Sequence, residues 1–133
     1  MRFDAIHASP PCQAYSELAH HPQNRDLEHP ELIEPTRDLL KETGLPYVIE
    51  NVPGAPLIEP ITLCGTEFGL PVKRHRLFET SFPINALQSG CSHGAYPKRF
   101  KVWRHGQQIE SSFVPVYGMG GGKASEHWAA AMG

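Results

Sequence analysis

Apolar residues fall in short runs along this chain, and their spacing changes from run to run. "FDAIHASP" (3–10) is mostly apolar and closes on proline. It predicts a short buried strand in a parallel sheet, ending at Ser9 and Pro10. Residues 13–31 are polar and rich in His, Asn, Asp and Pro, which predicts a long loop. "PELIEPTRDLLKETG" (30–44) carries apolar residues at Leu32, Ile33, Leu39 and Leu40, with Gly44 beyond them. This predicts an amphipathic helix that tolerates Pro35 in its first turns and stops at the glycine. "LPYVIENVPG" (45–54) predicts a second buried strand, so residues 3–54 predict a βαβ unit with a right-handed crossover.

The pattern then shortens. "ITLCGTEFGLP" (61–71) predicts a strand or turn, and "KRHRLFETS" (73–81) another strand, with three cations and His75 at its start. "RFKVW" (99–103) and "SSFVPVYG" (111–118) are β-like runs between turns, and "GMGGGKASEHWAAAMG" (118–133) predicts a glycine loop before a short helical piece. The 13 prolines and 12 glycines agree with long loops and short elements.

Length and charge narrow the class. A chain of 133 residues suits one domain and can bury about two thirds of its unfolded surface. A net charge of -2 favours neither nucleic acid nor membrane, although a local basic patch can still bind phosphates. No apolar run approaches the length of about 20 residues that spans a bilayer, and "MRFDAIHA" has no signal-peptide pattern, so a cytoplasmic location is expected. The cysteines, Cys12, Cys64 and Cys91, are odd in number and far apart, which predicts reduced thiols.

Two reactive groups fall at predicted strand ends, where ligands sit in open parallel sheets: Cys12 after the first strand and Glu50 at the end of the second. If the strands are neighbours, thiol and carboxylate face one crevice, which suits covalent catalysis on a base-like ring. Read alone, Cys12 is as readily an inert buried thiol, Glu50 a strand-end ion-pair residue, and Arg74 and Arg76 solvent-facing cations.

Three motifs in order change that balance. "PPCQAYS" (10–16) resembles the nucleophile motif of DNA (cytosine-5) methyltransferases, "ENV" (50–52) resembles their second catalytic motif, and "GLPVKRHRLF" (69–78) is similar to their arginine motif. The resemblance covers residues 3–81 well and 82–133 loosely. It implies a partial Rossmann-like α/β methyltransferase sheet with a small β-rich target-recognition region. Residues 1–82 would be the catalytic portion, 83–117 the target-recognition region, and 118–133 a glycine-rich linker starting back towards the catalytic domain.

The resemblance also implies roles. Cys12 would add to C6 of a flipped-out cytosine, with Pro10 and Pro11 stiffening its turn. Glu50 would bond N3 and the exocyclic amine. Asn51 would hold the Pro-Cys loop, Arg76 would reach the base or its phosphate, and Arg74 would order the site. Gln13 and Ser16 would belong to a mobile loop closing over DNA. S-adenosylmethionine would donate the methyl group, with Pro10 and Asn51 on the cofactor side and no metal.

Two departures matter. Val72 stands where the family usually has Gln, and the family's opening glycine-rich cofactor turn has no counterpart in these residues. The expectation is therefore a fragment or subunit, resembling phage-encoded short members of restriction-modification type. Its partners would be DNA and a second chain supplying the cofactor half. The alternatives are a catalytically incomplete remnant that binds DNA or a partner, and a Cys-His hydrolase using His75 or His20 as base. "YPKRFKVWRH" (96–105) mixes cations with aromatics and suits either phosphates and bases or a solvated edge strand. Cys91 and His93 with His105 make a set too tight and incomplete for zinc, and "GMGGGK" lacks the spacing of a phosphate loop.

Overall fold

The computed structural model describes residues 2–16, 29–84, 90–94, 99–104 and 107–114. It is a mixed α/β structure with a four-stranded sheet, a two-stranded sheet and few helices. Two compact units divide it: Met1–Leu63 with His75–Ala86, and Cys64–Arg74 with Leu87–Gly133.

Strand β1 (Ile6–Ala8) and strand β2 (Tyr47–Asn51) flank helix α1 (Ile33–Glu42) in the chain. β1 pairs parallel with β2, Ile6 opposite Tyr47 and Ala8 opposite Ile49. In β2 the alternation of a strand buries Tyr47, Ile49 and Asn51. Tyr47, Ile49 and Leu40 form a small core, with Ile6, Ala8 and Leu57 packed against it.

The buried face of α1 is Ile33, Arg37 and Leu40, spaced as one helical face requires. This differs from the expected apolar face, since Leu39 is 65% exposed and an arginine takes the inner position. Arg37 is admitted there because every side of its guanidinium is met. Its Nε and Nη2 donate to both oxygens of Glu79 at 2.7 and 2.8 Å, Nη2 also to the Pro56 carbonyl, and Nη1 to Glu34. Glu34 in the first turn and Lys41 in the last suit the helix dipole. The helix ends as Gly44 takes φ +66°, where glycine carries no Cβ penalty.

Strand β3 (Ile61–Cys64) leads into a 3-10 turn (Gly65–Phe68), and strand β4 (His75–Thr80) follows. The sheet order is β1-β2-β4-β3. β4 runs antiparallel to β2, with Glu50 opposite Phe78 and Asn51 opposite Leu77. The sheet is therefore mixed: β1 and β2 run parallel, β2 and β4 antiparallel.

In the second unit, strand β5 (Phe100–Arg104) and strand β6 (Gln107–Ser111) form an antiparallel pair. Phe100, Val102, Val72 and Val114 make its core, with Leu70 against it. Gly65 leaves room for this packing: a Cβ there would lie 2.6 Å from the Val72 carbonyl oxygen. The run expected as β at 111–118 is corrected over its described part, since 112–114 are not strand, and 115–118 lie outside the described residues. The strand stops at Ser111, and its body is the polar "QQIE", exposed along its length and so without an apolar signal. The readings of 118–133 and of most of the 13–31 loop lie outside the described residues.

Candidate active site

Because β1 and β2 run parallel, the chain leaves both strands at the same end of the sheet. Ser9, directly after β1, donates its hydroxyl to Glu50 Oε2 at 2.7 Å. Arg76, the second residue of β4, places Nε 2.7 Å from Glu50 Oε1, while its Nη1 donates to the His75 carbonyl. Glu50 and Arg76 keep 22% and 24% of their side-chain surface, so the pair sits at a partly open position. A charge-assisted contact this short fixes the carboxylate, yet each oxygen keeps a lone pair for a ligand N–H.

The neighbouring side chain sets the cysteine turn. Asn51 is buried, and its Nδ2 donates to the Pro10 carbonyl at 2.9 Å while Oδ1 accepts from the Val52 N–H. Pro10 is thereby clamped, and the chain turns at once: the Cys12 carbonyl accepts from the N–H groups of Tyr15 and Ser16, both at 3.0 Å. Gly54 comes close to this turn, with the position of its absent Cβ 3.5 Å from the Tyr15 carbonyl oxygen. Cys12 is exposed, as are Pro11 and Gln13, while Ser16 is half-buried. The strand ends thus gather the Cys12 turn, Asn51, Glu50 and Arg76 in the first unit. Arg74 precedes β4 and is half-buried in the second unit. Of the basic run 96–105, Arg99 is exposed and lies 3.9 Å from Glu110.

Asn51 gives a first expected result. Asn51→Ala leaves the Pro10 carbonyl without its donor, at a cost of about 1–3 kcal/mol. Urea unfolding should show that loss, and proteolysis should cut faster between Pro10 and Ser16. Unchanged stability would mean that Asn51 does not hold the turn.

Ser9 was not among the expected site residues, although its place directly after the strand is the signal that aims it at the neighbouring strand end. A larger omission is a thiol and imidazole cluster, which overturns the expectation of no metal. Cys64, His75, Cys91 and His93 each bring one possible ligand atom into a set whose members lie within 4.8 Å of one another. Sequence spacing sets Cys91 and His93 with His105 aside as too tight and incomplete for zinc; Cys64 and His75 are the residues that lie beside Cys91 and His93, and His105 lies outside the described residues.

The expected S-adenosylmethionine cofactor also finds no support among the described residues. The chain leaves β1 through Ser9-Pro10-Pro11-Cys12, with no glycine turn there, and β1 is an edge strand. An open depression lined by Tyr47, Ile58, Glu79, Phe82 and Ile84 lies at the start of β2, whereas Glu50 lies near its other end. S-adenosylmethionine is therefore unsupported as a cofactor by the described residues.

No helix among the described residues is long and apolar enough to cross a membrane. Comparison with protein-family models, with curated proteins and with solved structures gave no match.

Proposed function

We propose that this chain is the cytosine-activating part of a DNA (cytosine-5) methyltransferase, acting as a fragment or subunit of a larger enzyme. The observation that carries this reading is the gathering of the Cys12 turn, clamped by Asn51, with a carboxylate fixed by Ser9 and Arg76. On this reading the four-stranded sheet is part of a Rossmann-like sheet, and DNA and a second chain are its partners.

The chemistry derives from the chain's own groups. The exposed thiol of Cys12 gives its proton to solvent. The thiolate pair forms the S–C6 bond, and the C5=C6 pair moves onto C5. Glu50, as a carboxylate, accepts from the exocyclic amine and from the N3–H that forms as N3 takes a proton from water; protonation at N3 draws electron density from the ring and makes C6 a better electrophile. Arg76 and Ser9 keep the carboxylate aimed. The base must first leave the stack. The activated C5 takes a proton from water or, in the larger enzyme, a methyl group from its donor; the hydrogen first on C5 then leaves to water as a proton, its electron pair re-forms C5=C6, and the S–C6 pair departs with Cys12 as thiolate.

Protonation of C5 gives a test that needs no methyl donor. Duplex DNA carrying tritium at C5 of its cytosines should lose that label to water when the chain is present. Glu50→Gln should slow the release on the order of 10²-fold or more. Equal release by Glu50→Gln and the unaltered chain would remove Glu50 from the mechanism.

A second reading, a catalytically incomplete chain that binds DNA or a partner, has one observation in its favour. Among the described residues β1 is an edge strand, and such an edge offers backbone groups to another chain. DNA binding without tritium release would select it.

A further inference from the structure

We infer that Cys64, His75, Cys91 and His93 form a structural zinc site, a function independent of the Cys12 chemistry. Cys64, Cys91 and His93 belong to the second unit, and His75 follows directly on that unit's Arg74. Two sulfurs and two imidazole nitrogens are the donor set that selects zinc among divalent ions in a tetrahedral site.

The geometry agrees with that set. With Zn–S near 2.3 Å and Zn–N near 2.0–2.1 Å, a tetrahedron puts sulfur and nitrogen about 3.6 Å apart. Cys64 Sγ lies 3.6 Å from His93 Nε2. All four ligand atoms lie within 4.8 Å of one another, so modest side-chain rotation closes the shell. Cys64 is buried, and its sulfur accepts the Thr66 hydroxyl at 3.2 Å. A donor aimed at a ligand sulfur is the outer-shell contact that orients and stabilises a metal-bound thiolate.

The second unit has a need for such a cross-link. Its described core is Val72, Phe100, Val102 and Val114 with Leu70 against them. A core this small gives little stability, and small folds commonly add a metal or disulfides. None of the three cysteines is in a disulfide. A zinc ion would tie residues 91 and 93, which lie in no helix or strand, to the end of β3. Four protein ligands leave no open position, so the site holds structure and activates no water. Binding displaces the two thiol protons to solvent and changes no oxidation state.

The full chain, made in zinc-supplemented medium and dialysed, should carry one zinc per chain by elemental mass spectrometry. Replacement by cobalt should give the intense visible bands of a tetrahedral site and thiolate-to-metal absorption in the near ultraviolet. Cys91→Ser and His93→Ala alter exposed residues, so the core is spared, and each should lose most of the zinc and change the cobalt spectrum. Thr66→Val should keep the ligands but weaken zinc binding about 10-fold or more. Cys12→Ser should keep the full zinc content. Zinc far below one per chain, stoichiometric iron in its place, or a cobalt spectrum unchanged by Cys91→Ser would overturn the site.

Discussion

Glu79→Ala is expected to cost the chain about 3–5 kcal/mol, because it removes the buried bidentate partner of a buried guanidinium and leaves it only the exposed Glu34 and the Pro56 carbonyl. Arg37 is 1% exposed and Glu79 side-chain exposure is 4%, so water cannot replace the lost partner. The contact is bidentate, and Glu79 Oε2 also accepts the Ile58 N–H at 2.8 Å. One residue thus ties α1 to β4 and to the chain before β3. Small domains are commonly stable by about 5–15 kcal/mol, so the loss takes a large share of the total. Urea unfolding monitored by far-ultraviolet circular dichroism measures it. The double variant Arg37→Met with Glu79→Leu should recover most of the loss, since an apolar pair of similar size avoids the buried charge. A single-variant cost below about 1 kcal/mol would show that the pair does not brace the first unit.

The same pair sets an acid dependence. Burial pushes the Glu79 carboxyl up, but hydrogen bonds from Arg37 and the Ile58 N–H, with the charges of Arg37 and Lys41, bring it below its ordinary value. Donating to Glu79 in turn raises Arg37, which stays charged. A carboxyl lower in the folded than in the unfolded state adds stability in full above the ordinary carboxylate pKa, about 4.3. That stability drains away as the pH falls from there through the lower folded-state value. Acid unfolding should therefore be shallower in the double variant than in the unaltered chain.

Cys12→Ser should abolish tritium release from C5, on the order of 10³-fold or more, because a serine hydroxyl holds its proton at a pH where a thiol gives it up. The fold should be indifferent to the change. Cys12 is exposed, and the turn is held by its carbonyl, which serine keeps. The unfolding midpoint should match that of the unaltered chain, so a loss of release reports chemistry and not collapse.

The parallel pair and the helix between its strands were legible because periodicity reports them directly: Tyr47 and Ile49 alternate inward, and Gly44 stops the helix with positive φ. Arg37 was not legible. A buried arginine has no apolar signature, and its partner Glu79 lies 42 residues away on an antiparallel strand. β6 was shifted for a related reason, since its polar residues pair through backbone and leave no trace in hydropathy. At the site, Cys12 and Glu50 stood out because strand ends concentrate chemistry, while the ion pair of Glu50 with Arg76 depends on β4 lying beside β2. The zinc cluster was hidden by distance along the chain. Cys64 is separated from His75 by 10 residues and His75 from Cys91 by 15, and only the fold brings their ligand atoms together.

The most direct measurement uses long duplex DNA tritiated at C5 of every cytosine, so that no recognition sequence need be guessed. The full chain and Cys12→Ser are incubated with it side by side, and tritium in the water is counted. Release by the chain that falls to background in Cys12→Ser is the predicted result. No release by the chain, or equal release by both, would contradict Cys12 as the nucleophile that activates cytosine.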